Sequence, residues 1–112
     1  GQIAEQQLRE ILGDITLEVK RDFLVSATGN VAIEYEYRGT PSGIHVTTSK
    51  WWAIVLDGDS FTSDVIVVIK TARLRQLVEP LIRDGKGKPG GDNLWTKVIC
   101  LPLNDLLKPS DL

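Results

Sequence analysis

The chain has 112 residues, 42% of them hydrophobic and 25% charged, with 13 basic against 15 acidic side chains. That length suits one domain with its own core and is too short for two, so residues 1–112 are expected to form a single domain. A net charge of −2 argues against a protein that holds nucleic acid by bulk charge alone. No apolar run approaches the roughly 20 residues of a membrane-spanning helix, and the single cysteine cannot form an intramolecular disulfide.

With no disulfide framework and no basic-then-apolar leader, an intracellular, cytoplasmic location is the expectation. Cys100, between Ile99 and Leu101, reads as an inert strand thiol.

Residues 3–12 predict a short amphipathic helix, with Ala4, Leu8, Ile11 and Leu12 on one face and Gly13 at the stop position. Glu5 flanks that face and Glu10 points away, so Glu5 is the acid better placed to reach a central site. Residues 15–25 alternate. Ile15, Leu17 and Val19 are expected on a buried face, with Thr16, Glu18, Lys20 and Asp22 opposite. Thr28-Gly29-Asn30 is a turn signal, which predicts an antiparallel hairpin with the next segment. In residues 31–38, Val31, Ile33, Tyr35 and Tyr37 face one way and Ala32, Glu34, Glu36 and Arg38 the other.

Residues 39–46 form a connection that contains the lone His45, read as an ordinary exposed histidine. For residues 51–56, Trp-Trp-Ala-Ile-Val-Leu, β-propensity allows a strand, but a cap at Thr47 or Thr48 and a stop at Asp57-Gly58 favour a buried helix. Lys50 then falls in the first turn. A cation there opposes the helix dipole unless it faces carboxylates or phosphate.

Residues 65–69, Val-Ile-Val-Val-Ile, predict a central strand buried on both faces. Thr71 caps a helix running to about Arg83, with Leu74, Leu77, Val78, Leu81 and Ile82 as its core stripe. Pro80 is expected to kink or end it. Residues 84–93 read as a loop with two lysines, and 95–101 as a last strand ended by Pro102. The order is helix, strand, strand, helix, strand, helix, strand, an α/β arrangement with helices packed on a mixed sheet.

Asp22, Glu34 and Glu36 lie on neighbouring apolar segments, and Lys50 opens the next. Carboxylates converging on a divalent ion with a cation beside them are the equipment of a metal-dependent phosphodiesterase. In this order the residues resemble the PD-(D/E)XK nuclease superfamily. Glu5, Asp22 and Glu34 match its three acids over about residues 3–83. The runs Gly29-Asn30-Val31-Ala32-Ile33-Glu34 and Pro41-Ser42-Gly43-Ile44, followed by Thr48, resemble small phage-encoded members.

Two positions depart from the pattern. Glu36 stands where the lysine belongs, and Arg21, not proline, precedes Asp22. Some branches of the superfamily, viral cap-snatching endonucleases among them, carry the lysine on the following helix, and Lys50 occupies a comparable place. A literal Glu18-Val19-Lys20 is set aside, because its upstream acid, Asp14, leaves no room for a hairpin.

The resemblance implies a restriction-endonuclease-like core, a central mixed sheet of about four strands flanked by helices. It implies Mg²⁺ or Mn²⁺ as cofactor, with Asp22 and Glu34 as primary ligands and Glu5 binding directly or through water. The Ile33 or Tyr35 carbonyl would complete the shell. Lys50 would orient the water and offset transition-state charge. Glu36 would hold a second metal or pair with Lys50 or Arg38. Lys20, Arg38, Ser42 and Thr48 would touch phosphates. The partner is nucleic acid, DNA favoured over RNA, and a homodimer would let so small a domain cut both strands of a duplex. The setting would be the host cytoplasm if the chain is phage-encoded.

Two other readings stand beside this one. The first is a non-catalytic nucleic-acid-binding or assembly module on the same fold, favoured by Glu36. The second is an unrelated small α/β protein with Asp22 and Glu34 on different sides of the sheet.

Overall fold

The structure is a computed structural model that describes residues 2–13, 17–22, 25–58, 61–90 and 93–109. Within these, the side chains of Glu5, Leu8, Glu10, Ile11, Ser26, residues 61–64 and Asn93 lie outside the description. The expected roles of the Glu5 carboxylate, of Leu8 and Ile11, and of Asp14, Ile15, Thr16 and Phe23 therefore fall outside the described residues.

The chain runs α1 (Gln2–Gly13), β1 (Leu17–Asp22), α2 (Val25–Thr28), β2 (Asn30–Tyr37), β3 (Thr40–Pro41), a 3-10 turn (Gly43–His45), β4 (Trp51–Gly58), β5 (Phe61–Lys70), α3 (Thr71–Arg83), β6 (Lys88–Gly90), β7 (Asn93–Pro102) and α4 (Leu103–Leu106). This is a mixed α/β fold. Its described strands form two sheets in place of the one central sheet of about four strands expected. The first is mixed, in the order β1-β4-β5, with β1 parallel and β5 antiparallel to β4. The second is antiparallel, in the order β3-β2-β7-β6.

The segment read as a helix at 51–56 is strand β4, the middle strand of the first sheet. Trp51, Trp52, Ala53, Ile54 and Leu56 are all buried. A strand covered on both faces loses its alternation, and a short apolar run then has no period that separates strand from helix. The central place was expected for 65–69, which instead belongs to the edge strand β5. Val65 and Ile66 are exposed there, and only Ile69 is buried among the five.

The expected hairpin between β1 and β2 is replaced by longer-range pairing. Residues 25–28 form the short helix α2, closed by a Gly29 N–H to Val25 carbonyl bond of 2.8 Å. β1 pairs with β4, and β2 pairs with β7. The faces of β1 also differ from expectation. Val19, in register with the buried Ala53, is exposed, Leu17 is half-buried, and Lys20 is exposed while Glu18 and Asp22 are half-buried. An edge strand permits this, since its charged tips can pass the rim of the core to water.

In β2, Val31, Ile33 and Tyr35 are buried as expected, and Tyr37 is exposed. One apolar cluster joins Val31, Ile33 and Tyr35 of β2, Ile44, Trp52, Ile54 and Leu56 of β4, Leu74 and Val78 of α3, and Ile99 and Leu101 of β7. α3 keeps its predicted stripe and continues through Pro80 to Arg83. On α1, the described Ala4 and Leu12 are exposed and form no buried stripe. Within 84–93, Lys88–Gly90 is a strand paired with β7.

Candidate active site

β1 ends at Asp22, against the flank of β2. On that flank β3 covers only Glu36 and Tyr37, so among the described residues the earlier part of β2 lacks a strand partner there. Asp22 fills part of the gap: its Oδ2 accepts the Ala32 N–H at 2.9 Å. The carboxylate thus sits two residues before Glu34, about 7 Å along the strand. Glu34 shares the outer face of the second sheet with Ala32, away from the buried Val31, Ile33 and Tyr35. Gly43 stacks against its backbone. With a left-handed φ of 52°, Gly43 approaches so closely that any Cβ there would overlap the Glu34 carbonyl.

Between Glu34 and Glu36 the β2–β7 register slips. Glu34 pairs with Val98 and Glu36 pairs with Lys97, leaving Tyr35 as the extra residue of a bulge. A bulge bends the strand and re-aims its side chains. Lys97 Nζ lies 3.1 Å from Glu36 Oε2, and both side chains are part exposed. The Glu36 carboxylate raises the Lys97 pKa above the ordinary lysine value, first by accepting its hydrogen bond and then by its charge. Desolvation opposes the rise, and Tyr35 adds to it.

Lys97 was not foreseen. It carries a signal nonetheless, as the one charged residue of the ten in β7. It reaches Glu36 from the neighbouring strand.

Lys50 lies elsewhere. It precedes a strand, not a helix, and so does not occupy a helix's first turn. Trp51, next to it, pairs with Leu17, whereas Asp22 pairs with Leu56. Those five residue steps amount to about 17 Å of strand. The Lys50 carbonyl accepts the Thr71 N–H at the start of α3 (2.9 Å). Its side chain lines a cleft of about 470 Å³ with Thr48, Lys70, Thr71 and Arg75.

The other expected phosphate contacts are also separated. Lys20 Nζ is 5.7 Å from the Trp52 ring centre. The Ser42 hydroxyl is buried without a hydrogen-bond partner, beside its own N–H bond to the Tyr35 carbonyl (3.1 Å). Thr48 is exposed on the Lys50 cleft. Arg38 sits at the β2–β3 hairpin tip, near Glu36 and Lys97. His45, read as an ordinary exposed residue, places Nε2 2.7 Å from Glu79 Oε1 on α3 and its ring edge-on to Tyr35.

The acids brought to one stretch of β2 are Asp22, Glu34 and Glu36, with Lys97 as cation. Among the described residues no three carboxylate, histidine or cysteine side chains converge as a preformed metal cage. The donors are hard carboxylate oxygens, and Mg²⁺ is commonly held by one or two carboxylates with water and substrate phosphate filling the rest. Asp22 and Glu34 are donors of that chemical type, and Asp22 Oδ2 already accepts the Ala32 N–H. No family model matches the chain, and neither does any curated protein or solved structure. No helix among the described residues is long and apolar enough to cross a membrane.

Proposed function

We propose that the chain is a metal-dependent nuclease, an Mg²⁺- or Mn²⁺-dependent phosphodiester hydrolase acting on nucleic acid, with DNA favoured and internal cleavage expected. Its fold would be a variant of the restriction-endonuclease-like core. The observation that carries this reading is the stretch of β2 where Asp22, Glu34 and the Glu36–Lys97 pair assemble from three strands. Asp22 and Glu34 would hold the ion. When bound, it supplies Lewis acidity towards a phosphodiester and its attacking water.

The protein's own groups act around it. The Ala32 N–H orients the Asp22 carboxylate. The packing of Gly43 on the Glu34 backbone sets the position of the second acid. The Lys97 ammonium, fixed by Glu36, offsets charge that grows on the phosphate and donates a hydrogen bond there. On this reading Lys97, not Lys50, is the cation of the site.

The second reading, a non-catalytic nucleic-acid-binding module, has its own support. One Asp22 oxygen is already engaged by the backbone, and Glu36 and Lys97 satisfy each other. Titration calorimetry with Mn²⁺, paired with digestion of labelled oligonucleotides, separates the two. The nuclease reading expects Mn²⁺ binding and cutting, both lost in Glu34→Gln. Oligonucleotide binding without metal binding or cutting selects the module.

A further inference from the structure

The hairpin joining β2 to β3 turns through Arg38 and Gly39, both in the left-handed region at φ 52° and 79°. A two-residue hairpin turn of this kind favours Asn or Gly at its first position. Arg38 is the one non-glycine residue with positive φ among those described, and it occupies that position. Its backbone N–H is held by the Trp95 carbonyl at 2.9 Å. Its guanidinium lies 5.4 Å from the Trp95 ring centre and 5.6 Å from that of Tyr37.

Both rings reach solvent: Trp95 is 61% exposed and Tyr37 41%. Leu94, beside them, is 81% exposed. A shallow groove of about 360 Å³ is lined by Trp95, Leu94, Arg38 and Gly39 together with Glu36 and Lys97, and Tyr37 lies outside it. The exposed Trp95 ring, the Arg38 guanidinium beside it and Lys97 therefore line one groove, which reaches the Glu36–Lys97 pair.

We infer that this groove is a binding platform for single-stranded nucleic acid, in which an unstacked base lies on Trp95 while Arg38 and Lys97 follow the phosphates. The inference takes its ligand class from the nuclease reading and adds the strandedness of the substrate. Bases in a duplex are stacked on one another and offer no free face, whereas single strands bind through aromatic stacking in a positively charged groove. The cations suit a polyanion. An apolar peptide would gain little from an arginine beside the ring. The acids close by are those proposed to cut, so the platform feeds the strand to them.

The test is fluorescence anisotropy in EDTA, where nothing is cut, with labelled twelve-nucleotide single-stranded DNA, the same sequence as RNA, and a hairpin duplex. Both single strands are expected to bind at least about tenfold more tightly than the duplex. Removing one stacking ring, Trp95→Ala, should weaken them by about tenfold or more, and Trp95→Phe should restore most of the affinity. Arg38→Asn suits the turn better than arginine does. It should keep or raise the Tm while lowering affinity several-fold, which a purely structural arginine would not do.

Equal affinity for duplex and single strand overturns the inference, as does a Trp95→Ala variant that binds like the parent. Trp95-dependent self-association in sedimentation, without oligonucleotide binding, assigns the patch to a contact between copies of the chain and also overturns it. A parent protein that binds as expected but never cuts when Mn²⁺ is supplied rejects the catalytic reading and leaves the platform standing.

Discussion

On the proposed reading Asp22 has two tasks, a structural one and a metal-binding one, that a pair of substitutions can separate. Its Oδ2 accepts the Ala32 N–H, and hydrogen bonds to charged groups contribute about 1.5–3 kcal/mol when partly shielded. Asp22→Ala removes the acceptor and the charge together. It is expected to cost about 1–2 kcal/mol in urea unfolding and to abolish cutting. Asp22→Asn keeps an acceptor of the same shape, so its unfolding midpoint should stay near that of the parent while cutting is still lost. A fully active Asn variant would make Asp22 a structural latch alone. Lys97 gives a prediction in pH. Glu36 raises its pKa, so the ammonium remains charged through the ordinary lysine range and its contribution fades only as pH climbs through the raised value. Glu36→Gln removes the main causes of that rise. The alkaline limb of the cleavage rate should then move to lower pH, which a pH–rate profile reads directly. Lys97 could be noticed in the sequence as a lone charge in an apolar strand. Its pairing with Glu36 could not, because sixty residues and a β-bulge separate the two.

At the level of elements, periodicity identifies β2 and α3, each with one covered and one open side, and β7 as an apolar run bounded by turn residues, whereas β1 is a strand as expected but without the expected buried face. It fails at β4, where burial of Trp51, Trp52, Ala53, Ile54 and Leu56 removes the alternation that would mark a strand. Misreading β4 also misplaces Lys50, which is why the following-helix lysine of the resemblance has no counterpart here. Pairing is less legible than type. Thr28-Gly29-Asn30 signals a turn correctly, but a turn signal does not reveal that α2 lies before it or that the partner of β2 lies seventy residues on. Gly43 shows how one connection controls the site. A side chain there meets the Glu34 carbonyl and is forced into a left-handed backbone. Gly43→Ala is expected to lose at least about 2 kcal/mol of stability. Because the displaced strand carries Glu34, Mn²⁺ affinity should fall with it. Denaturant unfolding and calorimetry on the same sample check both, and unchanged Mn²⁺ binding in a destabilised variant would separate Glu34 from the metal.

For the molecule as a whole, one apolar cluster holds together sheets that share no described strand. Ile33, 1% exposed, sits on β2 within that cluster. Ile33→Ala should cost about 2–5 kcal/mol, a large share of the roughly 5–15 kcal/mol available to a domain, and the loss should appear as a lower thermal midpoint. The candidate site lies where the edge of one sheet meets the flank of the other. Its geometry therefore depends on how the sheets pack, which composition and local pattern do not encode. The acids were visible in the sequence as residues. Their company, Ala32 for Asp22 and Lys97 for Glu36, is a product of the fold. The account stands or falls on the rate at which the protein cuts a labelled single-stranded oligonucleotide in Mn²⁺, measured under single turnover for the parent, Glu34→Gln, Lys97→Ala and Lys50→Ala. Cutting that EDTA stops, that falls at least about a hundredfold in Glu34→Gln and Lys97→Ala, and that stays within a few-fold of the parent in Lys50→Ala is the predicted result. A parent that cuts nothing, or a Lys97→Ala variant as fast as the parent, would contradict it.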